Sequence, residues 1–129
     1  MNKPSPQAEV RLEIARKTIS PSSSYSVTDQ LEISFDWQPT VGSGQIITFY
    51  CSVIRRGKES AIEFNLALDR LETGELEQLH SILVRRHAGI DNGQEIAQAI
   101  SWLLDLSLRQ SSNLNLIERA AAVRQMLLA

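Results

Sequence analysis

The sequence is poor in residues that cross-link or bend a chain, with one cysteine, four prolines and six glycines among 129 residues. A single cysteine, Cys51, excludes an internal disulfide and is typical of a reducing compartment. The N-terminal residues MNKPSPQAEV lack the apolar core of a secretory signal, and no apolar run reaches the roughly 18 residues that cross a bilayer. We therefore predict a cytoplasmic protein that does not insert into a membrane.

A strong charge of either sign is also absent, since 13 basic and 15 acidic side chains give a formal charge of −2. This balance gives no overall attraction to nucleic acid or to an anionic membrane, so any basic site has to be local. The length suits one domain that buries its own core without a metal or a disulfide. We predict a disordered tail over residues 1–8 and a single domain over residues 9–129.

Four segments alternate between apolar and polar residues, which is the period of a half-buried strand. The serine-rich segment Ser20–Asp29 predicts a mobile connection between the first two strands. Pro39 ends the second strand, and the third and fourth strands form a hairpin around RRGKES. The apolar members are Val10, Leu12 and Ile14 after Glu9; Leu31, Ile33, Phe35 and Trp37; Ile47, Phe49, Cys51 and Val53 between about Gln45 and Arg55; and Ile62, Phe64, Leu66 and Leu68 from Ala61 onward.

After Leu68 the apolar period changes to 3.6, which predicts three helices. Thr73 is the expected N-cap of the first, Asn92 with Glu95 forms a capping box for the second, and Ser112 or Asn113 starts the third. Gly89 lies just past the end of the first helix. The apolar stripes are Leu76, Leu79, Ile82 and Leu83; Ile96, Ile100, Leu103 and Leu104; and Leu116, Ala120, Val123 and Leu127. The predicted fold class is α+β, a four-stranded antiparallel β-meander followed by three α-helices packed on one face of the sheet.

No residue pattern gives a firm catalytic, cofactor or metal signature. The carboxylates Glu32, Asp36 and Glu63 fall on an open polar sheet face, which does not provide the desolvation that acid–base chemistry needs. His80 and His87 are separated by about 10 Å along one helix, too far to share a metal ion. Cys51 is in phase with the core residues. We predict a protein that is not an enzyme and has no cofactor. The full polar face is expected to contain Arg11, Glu13, Glu32, Ser34, Asp36, Tyr50, Ser52, Glu63 and Asn65.

Two basic clusters are the candidates for anion or nucleic-acid contact. Arg55, Arg56 and Lys58 lie at the hairpin tip, where charged side chains are also ordinary solvated residues. Arg85 and Arg86 lie in the last turn of the first helix, where cations interact favourably with the helix dipole. If the two clusters met in the fold, five positive charges would neutralise phosphates or bind an acidic protein. The sequence alone does not place them side by side.

The last two helices carry more apolar surface than one sheet should cover. Either each helix is enclosed between the sheet and a neighbour, or a partner covers the surplus. We predict a small non-enzymatic adaptor, assembly or regulatory protein that binds another protein, or a second copy of itself, through the outer faces of these helices. The alternatives are a nucleic-acid-associated regulator that uses the basic clusters, which we rank second, and a small enzyme or ligand binder, which would need a closed pocket between sheet and helices. The predicted interaction residues are Trp102, Leu106, Leu108, Ile117, Met126 and Leu128.

Overall fold

The computed structural model describes residues 24–28, 31–39, 46–88, 92–111 and 113–128. This part of the chain contains four strands and three α-helices, with a short 3₁₀ turn at Leu68–Arg70 between them. The strands are β1 (Ser24–Thr28), β2 (Leu31–Pro39), β3 (Ile46–Arg55) and β4 (Lys58–Ala67). The helices are α1 (Thr73–Ala88), α2 (Gly93–Gln110) and α3 (Leu114–Leu128).

The described strands form an antiparallel sheet in the order β1-β2-β3-β4, and each pairs with its sequence neighbour. Its apolar face carries a row of aromatic rings: Phe49 stacks on Phe35 with centroids 5.8 Å apart and on Phe64 with centroids 5.2 Å apart. All three rings are at most 2% exposed, so they form the floor of the core. The predicted α+β class, with an antiparallel sheet and three helices, is confirmed.

The N-terminal part of the prediction has a different outcome. The tail over residues 1–8 and the strand containing Val10, Leu12 and Ile14 lie outside the described residues, so the predicted four-strand meander that includes this strand stays a prediction. The loop predicted over Ser20–Asp29 is wrong for Ser24–Thr28, because these residues form β1 and pair with β2. The segment alternates Tyr25 and Val27 with small polar residues, which is the period of a strand, and its serine-rich surroundings conceal this short pattern.

The β3–β4 hairpin is tighter than the sequence suggested. Strand β4 begins at Lys58 rather than Ala61, and Lys58 pairs directly with Arg55. Only Arg56 and Gly57 form the loop, with φ angles of 53° and 80°. Two successive positive φ values define the type I′ turn that matches the twist of paired strands. The charged segment RRGKES is therefore mostly strand.

The start of α1 shows how side chains satisfy the free amides of a first helical turn. The carbonyl of Glu72 accepts from the amide of Leu76 at 2.9 Å, which makes Glu72 the N-cap. The carboxylate of Glu75 accepts from the amide of Glu72 at 3.0 Å. Thr73, the predicted cap, is the first helical residue instead. The reason is that a glutamate at the third position reaches back to the cap amide.

The caps of the other two helices follow the prediction. Asn92 Oδ1 accepts from the amide of Glu95 at 2.8 Å at the start of α2. Asn113 Oδ1 accepts from the amide of Asn115 at 2.8 Å at the start of α3. The alternative cap Ser112 lies outside the described residues. Asparagine at these two positions therefore sets where both helices begin.

The helices cover the apolar face of the sheet with the stripes that the sequence predicts. The buried members are Leu76, Leu79, Leu83, Ile96, Ile100, Leu103, Leu104, Ala120 and Val123. Ile82, Leu116 and Leu127 are half-buried. Among the described helices, none is long and apolar enough to span a membrane.

Side chains of α2 also cover the outer edge of β4. The side-chain amide of Gln110 accepts from the backbone N–H of Ala67 at 2.8 Å and donates to its carbonyl at 2.9 Å, as a neighbouring strand would. Ser107 Oγ donates to the carbonyl of Asn65 at 3.2 Å. An edge strand with free backbone groups invites pairing with another chain. These contacts occupy the end of that edge at residues 65–67 and fix α2 beside the hairpin.

Candidate interaction surface on the last helix

The hairpin tip provides the first of the two basic clusters, and its residues differ in their surroundings. Arg55 is partly buried, and its Nε donates to the carbonyl of Met126 at 2.7 Å. This carbonyl lies in the last turn of α3, where a helix presents the negative end of its dipole. Arg56 and Lys58 are exposed. The structure therefore uses Arg55 to attach the end of α3 to the hairpin.

The second cluster, at the end of α1, is likewise engaged within the chain. Arg85 Nη2 pairs with Glu95 Oε2 at 2.7 Å, and this exposed pair links α1 to α2. Arg86 is 2% exposed, and its Nη2 lies 3.5 Å from the carbonyl of Phe35. The prediction that Arg86 contacts an anion at the surface is wrong as to its position. Its spacing of three residues from Leu83 puts it on the buried stripe, a signal that the sequence already contained.

The structure does not bring the five basic side chains into one exposed patch. Arg55 contacts the end of α3, whereas Arg86 is buried against β2. In the sheet, Arg55 faces Leu31, and Phe35 lies four residues farther along β2, which corresponds to about 13 Å. Arg56 and Lys58 are the members of the first cluster that remain exposed.

The predicted interaction residues of α2 belong to the packed interior. Leu106 is 2% exposed and lies within the core, so its placement on an outer face is wrong. Trp102 and Leu108 are half-buried and pack against that core. The apolar surplus of α2 thus reflects a helix enclosed on several sides, which is the first of the two explanations that the sequence left open.

The last helix, α3, is different. Met126 is half-buried against the core, but Ile117 is 44% exposed and Leu128 is 82% exposed. Leu114, which the sequence reading missed, is 67% exposed. Four residues lie at heptad spacing on one side of α3, and we call them the outer stripe: Leu114, Ile117, Ala121 and Leu128. The interval of seven residues from Leu114 to Ala121 and again to Leu128 was the signal that would have identified Leu114.

One edge of the outer stripe is held to α2. Arg124 Nη2 donates to the carbonyl of Ser101 at 2.9 Å and also pairs with the carboxylate of Asp105. The other edge carries the exposed residues Glu118 and Gln125. The outer stripe is therefore an apolar strip with polar edges on a helix that is anchored to the rest of the molecule.

The polar face of the sheet forms an open groove. Asp36, Tyr50 and Glu63 stand in one register across three strands, and the hydroxyl of Tyr50 accepts from the side-chain amide of Gln38 at 3.1 Å. A groove of about 660 Å³ runs over this row to the start of α3, where Arg119 lines it. Tyr50 and Glu63 are exposed, so the groove is open to solvent.

The predicted polar face is present in the described strands. Its exposed or half-buried members are Glu32, Ser34, Asp36, Tyr50, Ser52, Glu63 and Asn65, whereas Arg11 and Glu13 lie outside the described residues. These carboxylates line an open surface, where water screens their charge.

Cys51 points into the core, as its position in β3 predicts, and is 3% exposed. Burial raises the pKa of its thiol to about 12. The thiol therefore stays protonated at neutral pH and is a poor nucleophile.

Comparison with protein-family models, with curated proteins and with solved structures gave no significant match to this chain.

Proposed function

We propose that this chain is a non-enzymatic interaction protein that binds a protein partner through the outer stripe of α3. The main support for this proposal is that α3 is apolar on two sides. Its inner side buries Ala120 and Val123 in the core, while Leu114, Ile117 and Leu128 remain exposed on the outer side. Helix stability does not require these exposed side chains, and an apolar strip with polar edges is typical of a contact surface.

The alternative, nucleic-acid binding through the basic clusters, has less support. Arg55, Arg85 and Arg86 each contact another part of the same chain. Phosphate binding would require Arg55 and Arg85 to exchange these contacts, and it would require Arg86 to leave the interior. Arg55 and Arg86 thus link helices to the sheet, and Arg85 links α1 to α2.

A capture experiment with matched variants tests the proposal. Tagged wild-type protein, Leu114→Glu and Val84→Glu are each exposed to lysate of the host cell, with and without nuclease. Val84 is also an exposed apolar residue, but it lies on α1 and outside the outer stripe. The expected result is that a stoichiometric partner remains bound to the wild type and to Val84→Glu in nuclease and high salt. Leu114→Glu should lose that partner.

Two other outcomes of the capture experiment would contradict the proposal. A partner that is released by nuclease or by moderate salt, and that is lost when Arg56 and Lys58 are replaced by alanine, would favour the nucleic-acid alternative. A partner retained equally by all three proteins would show that the outer stripe is not the binding surface.

A further inference from the structure

The outer edge of β4 carries backbone groups that β3 does not use. In the two-residue hairpin, Arg55 and Lys58 form the hydrogen-bonded pair that closes the turn. Such pairs alternate with non-hydrogen-bonded pairs along an antiparallel ladder, so the odd-numbered residues of β4 direct their N–H and C=O away from β3. The contacts of Gln110 with both backbone groups of Ala67 agree with this phase.

Only part of this edge is covered within the described part of the chain. The carbonyl of Asn65 accepts from Ser107 at 3.2 Å, and Nη1 of the exposed Arg119 lies 3.5 Å from the carbonyl of Ala61. Between them, neither the N–H nor the carbonyl of Glu63 has a hydrogen-bond partner among the described residues. The groove of about 660 Å³ passes over this stretch, between β4 and the start of α3. These backbone groups are therefore accessible to another chain.

We propose that this edge binds an extended peptide segment of another protein, which adds to the sheet as an antiparallel strand with a basic side chain opposite Glu63. An extended backbone satisfies a row of outward N–H and C=O groups, and antiparallel pairing is the more stable orientation per residue. The stretch from Ala61 to Asn65 is about 13 Å long, which matches about five residues of such a segment. The backbone of β4 does not belong to the outer stripe, so this inference goes beyond the proposed function.

The charges around the edge favour a basic side chain on the partner. Glu63 is exposed on the polar face and forms no ion pair with the described residues, and Glu59 in the same strand is also acidic. Opposite charges that face each other across two strands stabilise the pair, whereas like charges destabilise it. The positive charge of Arg119 lies beside Ala61, so one basic residue opposite Glu63 fits better than a run of them.

The other face of the added strand meets apolar surface. Successive side chains of an extended segment point to opposite sides, so the two that flank the basic residue face Leu116 of α3, which is half-buried and lines the groove. The segment therefore alternates polar and apolar residues around one central lysine or arginine. A second copy is less suitable, because two β4 edges paired antiparallel about Ala61 or Glu63 bring glutamates opposite each other.

Titration with a synthetic peptide, followed by nuclear magnetic resonance of the backbone amides, tests the proposal. The probe is the end-blocked peptide Thr-Val-Lys-Val-Thr, added from about 0.1 mM to about 5 mM, a range that spans weak association. The amide of Glu63 should exchange rapidly with solvent in the free protein and more slowly as the peptide binds. Glu63→Lys should raise the dissociation constant at least about fivefold. Glu77→Lys, the same charge reversal at an exposed glutamate of α1, should leave it unchanged.

Two N-methylated peptides test the strand pairing itself. In an antiparallel pair, the residue opposite Glu63 directs its N–H towards β4, whereas its two neighbours direct theirs away. Methylation of the lysine N–H should therefore raise the dissociation constant at least about fivefold, because it removes a backbone hydrogen bond. The same methyl group on a valine N–H is the matched control and should change the constant by less than about twofold.

Four outcomes would overturn the proposal. Equal binding of both methylated peptides would show charge attraction without strand pairing, and a loss only on valine methylation would show a parallel strand. Binding that Glu63→Lys leaves unchanged, or no binding at the highest concentration, would exclude this edge as the site. Slow exchange of the Glu63 amide in the protein alone would show that the edge is already covered, and a dependence on protein concentration would identify the covering strand as a second copy.

Discussion

The hairpin tip and the outer stripe of α3 are both surfaces that the sequence offered for binding, and the fold uses them in opposite ways. At the tip, Arg55 donates to the carbonyl of Met126 and so secures the end of α3. On the outer side of the same helix, Leu114 and Leu128 remain 67% and 82% exposed. The charged residue, which resembles a binding residue in the sequence, is structural, and the apolar residues, which resemble core, are exposed.

The difference follows from what each side chain gains by contact within the chain. A guanidinium that reaches a helix C-terminus satisfies a free carbonyl and interacts with the helix dipole. A leucine on the far side of a helix that already packs on the sheet gains little further contact from the described part of the chain. Candidate binding residues are therefore better ranked by the exposure of their side chains in the fold than by residue type.

Replacement of the buried Arg86 should have the largest effect. Arg86→Ala removes a buried side chain of α1 that lies against the carbonyl of Phe35 in β2. The free energy of unfolding should therefore fall by about 2–4 kcal/mol. Urea unfolding followed by circular dichroism measures the change. Arg85→Ala, in the exposed pair with Glu95, should cost less than about 1 kcal/mol. Equal losses in the two variants would mean that Arg86 is not structural.

A smaller loss of stability is expected when Arg55 at the hairpin tip is replaced. Arg55→Ala removes a hydrogen bond from a charged group to a helix-end carbonyl, so the free energy of unfolding should fall by about 1–2 kcal/mol. Amide exchange should show a faster opening of the last turn of α3. The exposed neighbour Lys58, replaced by alanine, is the control and should change stability by less than about 0.5 kcal/mol. A dominant role of Arg55 in nucleic-acid binding would instead leave stability unchanged.

The first turn of α1 gives a pH-dependent prediction that is independent of both surfaces. The backbone N–H of Glu72, followed by Arg109, holds the pKa of Glu75 below its ordinary value of 4.5. A depressed carboxyl pKa stabilises the fold above the ordinary value, and this stability is lost as the pH falls through the folded value. Wild type should therefore be more stable than Glu75→Gln at pH 7, and the two melting temperatures should converge as the pH falls below the folded pKa of Glu75. A constant difference would contradict this assignment.

The smallest effect is expected at the β3–β4 turn, where a substitution should increase the free energy of unfolding. Arg56 has a φ of 53°, in the left-handed region that asparagine adopts more easily than arginine. Arg56→Asn should raise the free energy of unfolding by about 0.5 kcal/mol if this backbone preference decides the outcome. Thermal unfolding measures it, with Lys58→Asn as the comparison outside the turn. A loss of stability in Arg56→Asn would show that the side chain of Arg56 matters more than its backbone.

Much of the described fold was predictable because period and capping act locally. The stripes of α1 and α2 and the caps Asn92 and Asn113 follow from spacing alone. Strand β1 was missed because its short alternation, Tyr25 and Val27 between Ser24, Ser26 and Thr28, lies inside a serine-rich segment that is typical of a loop.

The site was harder to predict, since a helical pattern shows which residues are apolar but not how many neighbours the helix has. Trp102 and Leu108 on α2 are half-buried against the core, whereas Ile117 on α3 has an exposed side. Both helices carry similar apolar surpluses, and only the packing of the whole molecule distinguishes them.

The most direct test of the account is urea unfolding of wild type, Leu114→Glu and Val84→Glu, measured beside the capture experiment. If the outer stripe serves contact with a partner and not folding, all three proteins unfold at a similar urea concentration, and Leu114→Glu loses the captured partner. A midpoint of Leu114→Glu well below those of the other two proteins would show that Leu114 belongs to the fold and would contradict the account.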